Sequence, residues 1–381
     1  MMKKRRVNKT PLFIIIVLIC LIFGALYFFH GHFTKKEEEK TKPEVLEKKE
    51  VEKTYNLSFT LAGNILINSG MWNDARTAEG YDFSSTFKEF ENTVKKSNIN
   101  FYFQQSIVGG SDLGASLNYN YNSPKELLTE LSKFGFNLVS LSSYHSYDKG
   151  IDGINNTILY LNENKMSYSG INEEEDKRYD KSVILKNGVK VGLISYTMGT
   201  DEIVKEEYAV NKYSDEQAKK DIEELKKNAD IVIVSIDWNN IGSTMVTEEQ
   251  KRVAKYLSDL GVNIIVGNTG YSIQPIEKIN DTLVFYSLGN LLSGHNAIDS
   301  RISSVVDFNL KVTKLGKKVT TNVDKVNVLL TYAYNNYGLQ YKVIPFTKII
   351  NELGTYKTYY KKYNKLLTEN NDMVKLYEIG E

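Results

Sequence analysis

Apolar and polar positions divide this chain into three stretches with different periods. Pro11 to Phe29 is an uncharged run of 19 residues, long enough to cross a bilayer as a helix. Thr34 to Lys53 is almost wholly Lys, Glu and Thr; it cannot bury a core and reads as a linker. From Tyr55 onward short apolar runs alternate with amphipathic ones. Asn56–Ala62 alternates as a strand and stops at Gly63-Asn64, and Phe83–Lys96 has helical spacing. Asn98–Phe103 is strand-like. Ser123-Pro124-Lys-Glu126 starts a helix, with Ser123 as N-cap, that runs to Phe134-Gly135.

Phe136–Leu141 then predicts a buried strand and Asp152–Asn164 a helix. Ser182–Ser195 is a hairpin turning at Asn187-Gly188. Ser214–Asn228 and Thr247–Leu260 are amphipathic helices, the second closed by Gly261. Asp230–Ile236, Val262–Val266 and Thr282–Ser287 are strands apolar on both faces. Such strands, alternating with helices, predict an α/β domain whose sheets are covered by helices. Beyond residue 300 alternating strands follow, and Lys348–Glu378 is mostly polar with helical spacing. The expected division is 1–33, basic tip and anchor; 34–54, linker; 55–345, α/β domain; 346–381, helical extension.

Charge refines this outline. The first ten residues carry five positive charges and no negative one, which predicts a cytoplasmic N-terminus and an extracellular domain on a single-pass anchor. Gly24-Ala25 is followed by bulky Leu26-Tyr-Phe-Phe29, which disfavours signal cleavage. Ile19 before Cys20 argues against lipoprotein processing, and a single cysteine excludes an internal disulfide. With 48 basic and 47 acidic residues the net charge is +1, so electrostatic nucleic-acid binding is not expected.

In α/β domains chemistry gathers in the loops after the strand C-termini. Those loops are Gly63-Asn64; Phe103-Gln104-Gln105; Ser143-Tyr144-His145-Ser-Tyr-Asp148-Lys149-Gly150; Asp237-Trp238-Asn239; and Gly267-Asn268-Thr269-Gly270-Tyr271 with Gln274-Pro275. Ser287-Leu-Gly-Asn290 is a sixth, with Gly289 at a turn. Only four histidines exist, and His145 alone lies in such a loop; His30 and His32 adjoin the apolar run and His295 follows Asn290.

In order and spacing these segments resemble the CapA family, also called PgsA, of membrane-anchored poly-γ-glutamate capsule proteins, within the calcineurin-like metallophosphoesterase superfamily. Val284–Asn290, Gly261–Gly267, Gln274–Glu277 and Ser123–Gly153 carry the likeness, which covers about Leu57 to Lys342 and the anchor. It implies a layered αββα sandwich and, in family members, divalent metal. It also implies capsule synthase and export proteins, the membrane and an anionic polymer as partners.

The departures fall on the family's ligands. Gly-Asp becomes Gly63-Asn64, and Asn-Leu-Glu becomes Phe103-Gln104-Gln105. Asn-Asn-His…Asp-x-Gly keeps His145, Asp148 and Gly150; His-Trp-Gly becomes Asp237-Trp238-Asn239; Gly-His-His-Pro-His becomes Gly267-Asn268-Thr269-Gly270-Tyr271. Paired divalent ions carry about +4 and need anionic and imidazole ligands. Neutral Asn64 and Gln105 do not supply them, so neither a cofactor nor a metal is expected. His145, Asp148 and Asp237 could hold at most one ion, weakly, and are the catalytic candidates if any are. His145 and Asp148 could equally bond each other, and Asp237-Trp238 could be a packing element. The expected ligand pocket comprises Asn64, Gln105, Tyr144, His145, Asp148, Asp237, Trp238, Asn268, Tyr271 and Asn290, suited to neutral carbohydrate or peptide. The leading expectation is a non-catalytic capsule protein. A hydrolase with a rearranged site and a cell-surface interaction module are the alternatives.

Overall fold

The computed structural model describes residues 10–33, 51–94, 97–117, 119–239, 242–268, 271–349, 351–369 and 371–379. The basic tip over residues 1–9, the linker over 34–50, the end of the expected helix at Lys95-Lys96, and Thr269-Gly270 of the fifth loop lie outside the described residues. The chain divides into two units, residues 1–50 and 51–381. In the first, helix α1 (Thr10–Phe33) contains an 18-residue span, Ile14–Gly31, of mean hydropathy 2.5, long and apolar enough to cross a membrane.

In the second unit, period-two alternation decides which way each side chain faces. Strand β1 (Lys53–Ile65) lies inside a mixed sheet. Parallel β2 (Ile99–Gln104), β3 (Leu138–Ser140) and β4 (Ser167–Ser169) extend it on one side. Antiparallel β12 (Ile302–Leu315), β13 (Lys318–Asn336) and β14 (Leu339–Pro345) extend it on the other. The short strand β11 (Asn290–Leu292) pairs with the end of β1, and β15 (Val374–Leu376) with β13. A second sheet is built, from edge to edge, of β5 (Val183–Lys186), β6 (Val189–Thr197), β7 (Ile231–Asp237), β8 (Ile264–Asn268), β10 (Thr282–Phe285) and β9 (Ile276–Ile279).

The two sheets pack face to face. Leu57, Phe59 and Leu61 of β1 meet Val191 and Leu193 of β6 and Ile231 and Ile233 of β7 in one core. The opposite face of the first sheet, with Ala62, Ile65, Tyr102 and Val139, is covered by α2 (Ser69–Asp74), α3 (Ser84–Phe87), α4 (Glu91–Val94), α5 (Glu126–Phe134) and α6 (Gly150–Glu163). The opposite face of the second, with Ile194, Val232, Val234 and Ile265, is covered by α7 (Asp215–Leu225) and α8 (Glu248–Asp259). The result is the expected αββα layering. Both faces of β7 are buried, and each large aliphatic side chain there contributes about 1.5–3 kcal/mol.

Local signals explain the starts of α7 and α8 and the β5–β6 turn. Ser214 caps α7 by accepting from the Gln217 amide at 3.1 Å, and Thr247 with Gln250 forms a capping box on α8. Asn187 and Gly188 both take positive φ, 48° and 78°, as a two-residue hairpin between β5 and β6 requires.

Three expectations change. Ser123 does not cap α5; its hydroxyl is buried against Ser106 at 2.8 Å and the helix begins at Glu126. The helix expected over Phe83–Lys96 is two short segments, α3 and α4, although Phe83, Phe87 and Phe90 still face one core at helical spacing. The C-terminal stretch is helical only as α9 (Tyr356–Thr368); beyond it the chain joins the first sheet as β15. Short strands β4, β9 and β11 escape the periodicity, being of three or four residues each.

The ends of β7 and β8 are held by a close approach at Gly267. A Cβ there would lie 2.1 Å from the Trp238 indole nitrogen and 2.2 Å from the Tyr286 carbonyl oxygen. Gly267→Ala is therefore expected to break the indole–carbonyl bond and destabilise the domain by about 2 kcal/mol or more, read as a lower urea midpoint by tryptophan fluorescence. An unchanged midpoint would contradict the packing.

Candidate functional site

Parallel strands β1, β2, β3, β6, β7 and β8 all deliver their C-terminal residues to loops joined by hydrogen bonds. Asn64, within β1 rather than in a turn after it, is buried. Its amide NH2 donates to Gln105 Oε1 at 2.5 Å and to Asn290 Oδ1 at 3.2 Å. Asn290 in turn donates to the Ser300 carbonyl at 2.8 Å. Three neutral amides thus join β1, the loop after β2 and β11. Gly289 turns the chain just before with φ +76°, a conformation other residues resist.

The third loop is tied to the second: Ser143 Oγ donates to the Gln105 carbonyl at 2.7 Å and accepts from the His145 amide at 3.1 Å. His145 Nδ1 is 2.9 Å from Asp148 Oδ2, which also accepts from the Tyr121 amide at 2.6 Å. Burial pushes the Asp148 carboxyl up, partly offset by the His145 bond and charge. Tyr121 and Tyr144 pack edge-on against the His145 ring, 4.6 and 5.2 Å between centroids.

Asp237 ends β7 and is 4% exposed. Its two oxygens accept from the Tyr144 amide at 2.8 Å and the Asn239 amide at 3.2 Å. Burial nevertheless dominates those bonds and raises its pKa to about 6. Trp238 is a packing element: its indole donates to the Tyr286 carbonyl at 2.8 Å. Asn268 pairs in register with Asp237. Tyr271, at φ +92°, lies against His295 with ring centroids 3.8 Å apart and the planes tilted by 56°. The histidine is held below its ordinary pKa by burial.

Several polar atoms here have no hydrogen-bond partner among the described residues although buried: Asn64 Oδ1, Asp148 Oδ1, and both amide atoms of Asn268. Buried orphans are costly, and these mark places where a polar ligand or water would be satisfied.

A two-ion centre does not fit these residues. Where it would need anionic oxygens, an amide NH2 of Asn64 faces the Gln105 oxygen. The carboxylates nearby are Asp148, Asp201 and Asp237. His145, Asp148 and Asp201 offer ligand atoms within 4.8 Å of one another, and Asp237 does not belong to that group. The single-ion candidates His145, Asp148 and Asp237 therefore change in their third member. Among the described residues no lysine or arginine pairs with any of these aspartates, so the strand ends hold acidic groups without a permanent counter-charge.

Asp201, Tyr121 and His295 are site residues that sequence reasoning passes over. Asp201 bonds the Tyr144 hydroxyl, raising that phenol, and its amide donates to the Tyr144 carbonyl at 2.8 Å. It follows β6, and the strand-end rule includes its loop once β6 is seen as a parallel strand and not only as half of a hairpin. Tyr121 lies in the alternating Asn-Tyr run before Ser123, where periodicity predicts no element.

Residues 58–295 match the family described as "Bacterial capsule synthesis protein PGA_cap". The chain is 28% identical over 208 residues to "PGA biosynthesis protein CapA" of Bacillus subtilis (strain 168), covering 52% of this chain and 54% of that protein. It is 25% identical over 206 residues to "Capsule biosynthesis protein CapA" of Bacillus anthracis, covering 52% and 50%. The chain spans about half the length of the curated relatives it matches. A solved chain, TT1561 of Thermus thermophilus, aligns over 71% of this chain and 99% of its own at 10% identity, with a TM-score of 0.38.

Asp237 sets a pH test. Its folded pKa, about 6, lies above the ordinary 3.8, so the folded state holds the proton more tightly and this group's contribution falls as pH rises from about 4 to 6. Asp237→Asn removes that penalty. The variant's stability relative to wild type is expected to improve by roughly 2–3 kcal/mol between pH 4 and pH 7 in urea titrations. A difference independent of pH would refute a buried, proton-holding Asp237.

Proposed function

The chain belongs to the PGA_cap family of bacterial capsule synthesis proteins, and from that premise we propose that it is a membrane-anchored, extracytoplasmic protein. In this reading it assists the synthesis, export or surface retention of a capsule polymer, poly-γ-glutamate, without hydrolysing it. The observation that carries the non-catalytic reading is the Asn64–Gln105 bond, in which one neutral amide donates to another at the strand ends. A metal-dependent hydrolase would hold charge there. Helix α1, with Lys3, Lys4, Arg5, Arg6 and Lys9 before it, supports a single-pass anchor with the larger unit outside. Its partners would be the membrane and the synthase and export proteins of the capsule machinery.

The acidic strand ends favour a neutral ligand group over a carboxylate chain. Orphaned amide atoms of Asn64 and Asn268 suit hydroxyls or peptide groups. A second reading, hydrolysis at a rearranged centre, draws on the approach of His145, Asp148 and Asp201.

The two readings separate in cells and in solution. In a polymer-producing strain lacking its own copy, the full chain and His145→Ala are expected to restore surface polymer equally, and a chain without Thr10–Phe33 is not. Purified full chain is expected to retain no stoichiometric manganese or zinc after dialysis. A manganese- or zinc-dependent phosphodiester or γ-glutamyl cleavage that vanishes in His145→Ala would sink the non-catalytic reading in favour of the second.

A further inference from the structure

Strand β1 runs from Lys53 to Asn64 near its polar end, and the groups that gather at its start are lysines. Strands β12 and β13 meet there in a turn at Gly316, φ +58°, with Leu315 paired in register with Lys318. Lys317 and Lys318 are exposed, and the Leu315 side chain between the charges is 40% exposed. Lys314 stands directly opposite Lys53. Its Nζ donates to the Gly188 carbonyl at 3.0 Å, which brings in the β5–β6 turn flanked by Lys186 and Lys190. Of these six lysines only Lys314 has an acidic partner among the described residues, Asp230 at 2.5 Å. Glu52 adjoins Lys53, and Lys278 and Asp281, beside Thr321, add one charge of each sign. The second unit is therefore polarised, basic where β1 begins and acidic at the strand ends that hold Asp148, Asp201 and Asp237.

Elsewhere this surface pairs its charges. On α8, Lys251, Arg252 and Lys255 each bond an acid of the same helix, Glu248, Glu249 and Asp259, at 2.8, 2.9 and 2.5 Å. The β12–β13 turn supplies no such acid, and Lys53 opposite Lys314 sets like charges across a strand pair, which is destabilising. Arg301, half-buried just before β12, also lacks an acidic partner among the described residues, but its free Nη2 is buried and offers the surface nothing. The lysines at the start of β1 are open to a large ligand. Lysine stems around an exposed aliphatic side chain suit the boundary between lipid headgroups and acyl chains. The chain also enters the unit here, since the segment that follows α1 leads directly into Glu52-Lys53 and β1.

We propose that this end of the unit, with the β12–β13 turn at its tip, docks on an anionic membrane surface through lipid phosphates. The proposal rests on α1 being the anchor, as under Proposed function. Charge complementarity, the exposed Leu315 and the entry of the chain at the same end select a bilayer over a soluble polyanion. Docking here leaves the acidic strand ends facing away from headgroups that would repel them.

Energy transfer from the full chain in lipid nanodiscs tests this. In a Cys20→Ser background a donor dye is placed through Thr320→Cys, beside the turn, or through Met245→Cys, in the exposed loop after β7, and the acceptor is a labelled headgroup. In discs containing phosphatidylglycerol the dye beside the turn is expected to transfer at least about twofold more efficiently than the other, and the difference to shrink at about 1 M salt. Lys317→Glu with Lys318→Glu is expected to abolish the difference, with an unchanged thermal unfolding midpoint; Lys317→Gln with Lys318→Gln is expected to reduce it. Equal transfer from both dyes, or a difference that persists in neutral phosphatidylcholine discs and in the charge-reversed variant, would overturn the proposal while leaving the anchor intact. Transfer independent of lipid charge, together with binding of a γ-linked glutamate oligomer that the charge-reversed variant loses, would make the polymer the occupant and overturn the membrane assignment. A chain that does not enter the discs would overturn the anchor reading, and the proposal with it.

Discussion

A sheet buried on both faces can carry a charged side chain at modest cost only where its strands stop. From Ile231 to Ile236, β7 sends its side chains into one core or the other, Ser235 alone being polar, and the first charged group, Asp237, comes at the strand's end. Strands β1, β2 and β8 reach Asn64, Gln104-Gln105 and Asn268 at or next to their ends, while the polar residues buried earlier, such as Thr60 and Asn100, are neutral and hydrogen-bonded locally. Because β1, β2 and β3 run parallel, as do β6, β7 and β8, their ends coincide, and the packing of the two sheets brings the two rows of ends together. Ser140 and Ser195 cross the layer boundary at 2.6 Å, and the Tyr144 amide reaches Asp237 from one sheet's loop to the other's strand. Everything polar at these ends follows from that constraint.

What occupies such ends decides what the fold can do. Charged groups there repel one another unless an ion or a cation offsets them, and the site stays open. Amides donate and accept, so Asn64, Gln105 and Asn290 close on themselves. The remaining acids are handled one at a time: Asp237 by two backbone amides, Asp148 by His145 and the Tyr121 amide. Neither arrangement neutralises its carboxylate fully, since burial raises the pKa of both. The strand ends are therefore mildly acidic and rich in hydrogen-bonding capacity, a setting suited to neutral polar groups.

Long apolar strands and capped helices were legible in the sequence because periodicity and capping act locally. β7, α7 and α8 appear within a few residues of where Asp230–Ile236, Ser214–Asn228 and Thr247–Leu260 placed them. Three-residue strands such as β4 and β11 have no periodicity of their own; they exist because a neighbouring strand offers its edge. Ser123 misled because a buried hydroxyl can find a partner better than a helix end, here Ser106. At the site, strand-end logic found the residues that close each sheet strand. It missed Tyr121, Asp201 and His295, whose roles depend on which loop lies beside which, information that spacing along one chain does not contain.

The acidic strand ends and Arg301 are separate electrostatic environments, yet one loop ties them. The Ser300 carbonyl accepts from the Asn290 amide at 2.8 Å and from the Ser293 hydroxyl at 3.2 Å, and Arg301 is the next residue. The amide cluster thus fixes the backbone from which the guanidinium projects, and β12 fixes it from the other side by pairing Ile302 with Tyr332. A charged ligand at Asn64 and Gln105 would disturb that lock, because Asn64 holds Asn290 and Asn290 holds Ser300. Loss of charge at the strand ends and retention of an unpaired cation one loop away are then parts of a single arrangement. The neutral amides stiffen the support, and the unpaired charge beside it, on Arg301, is positive.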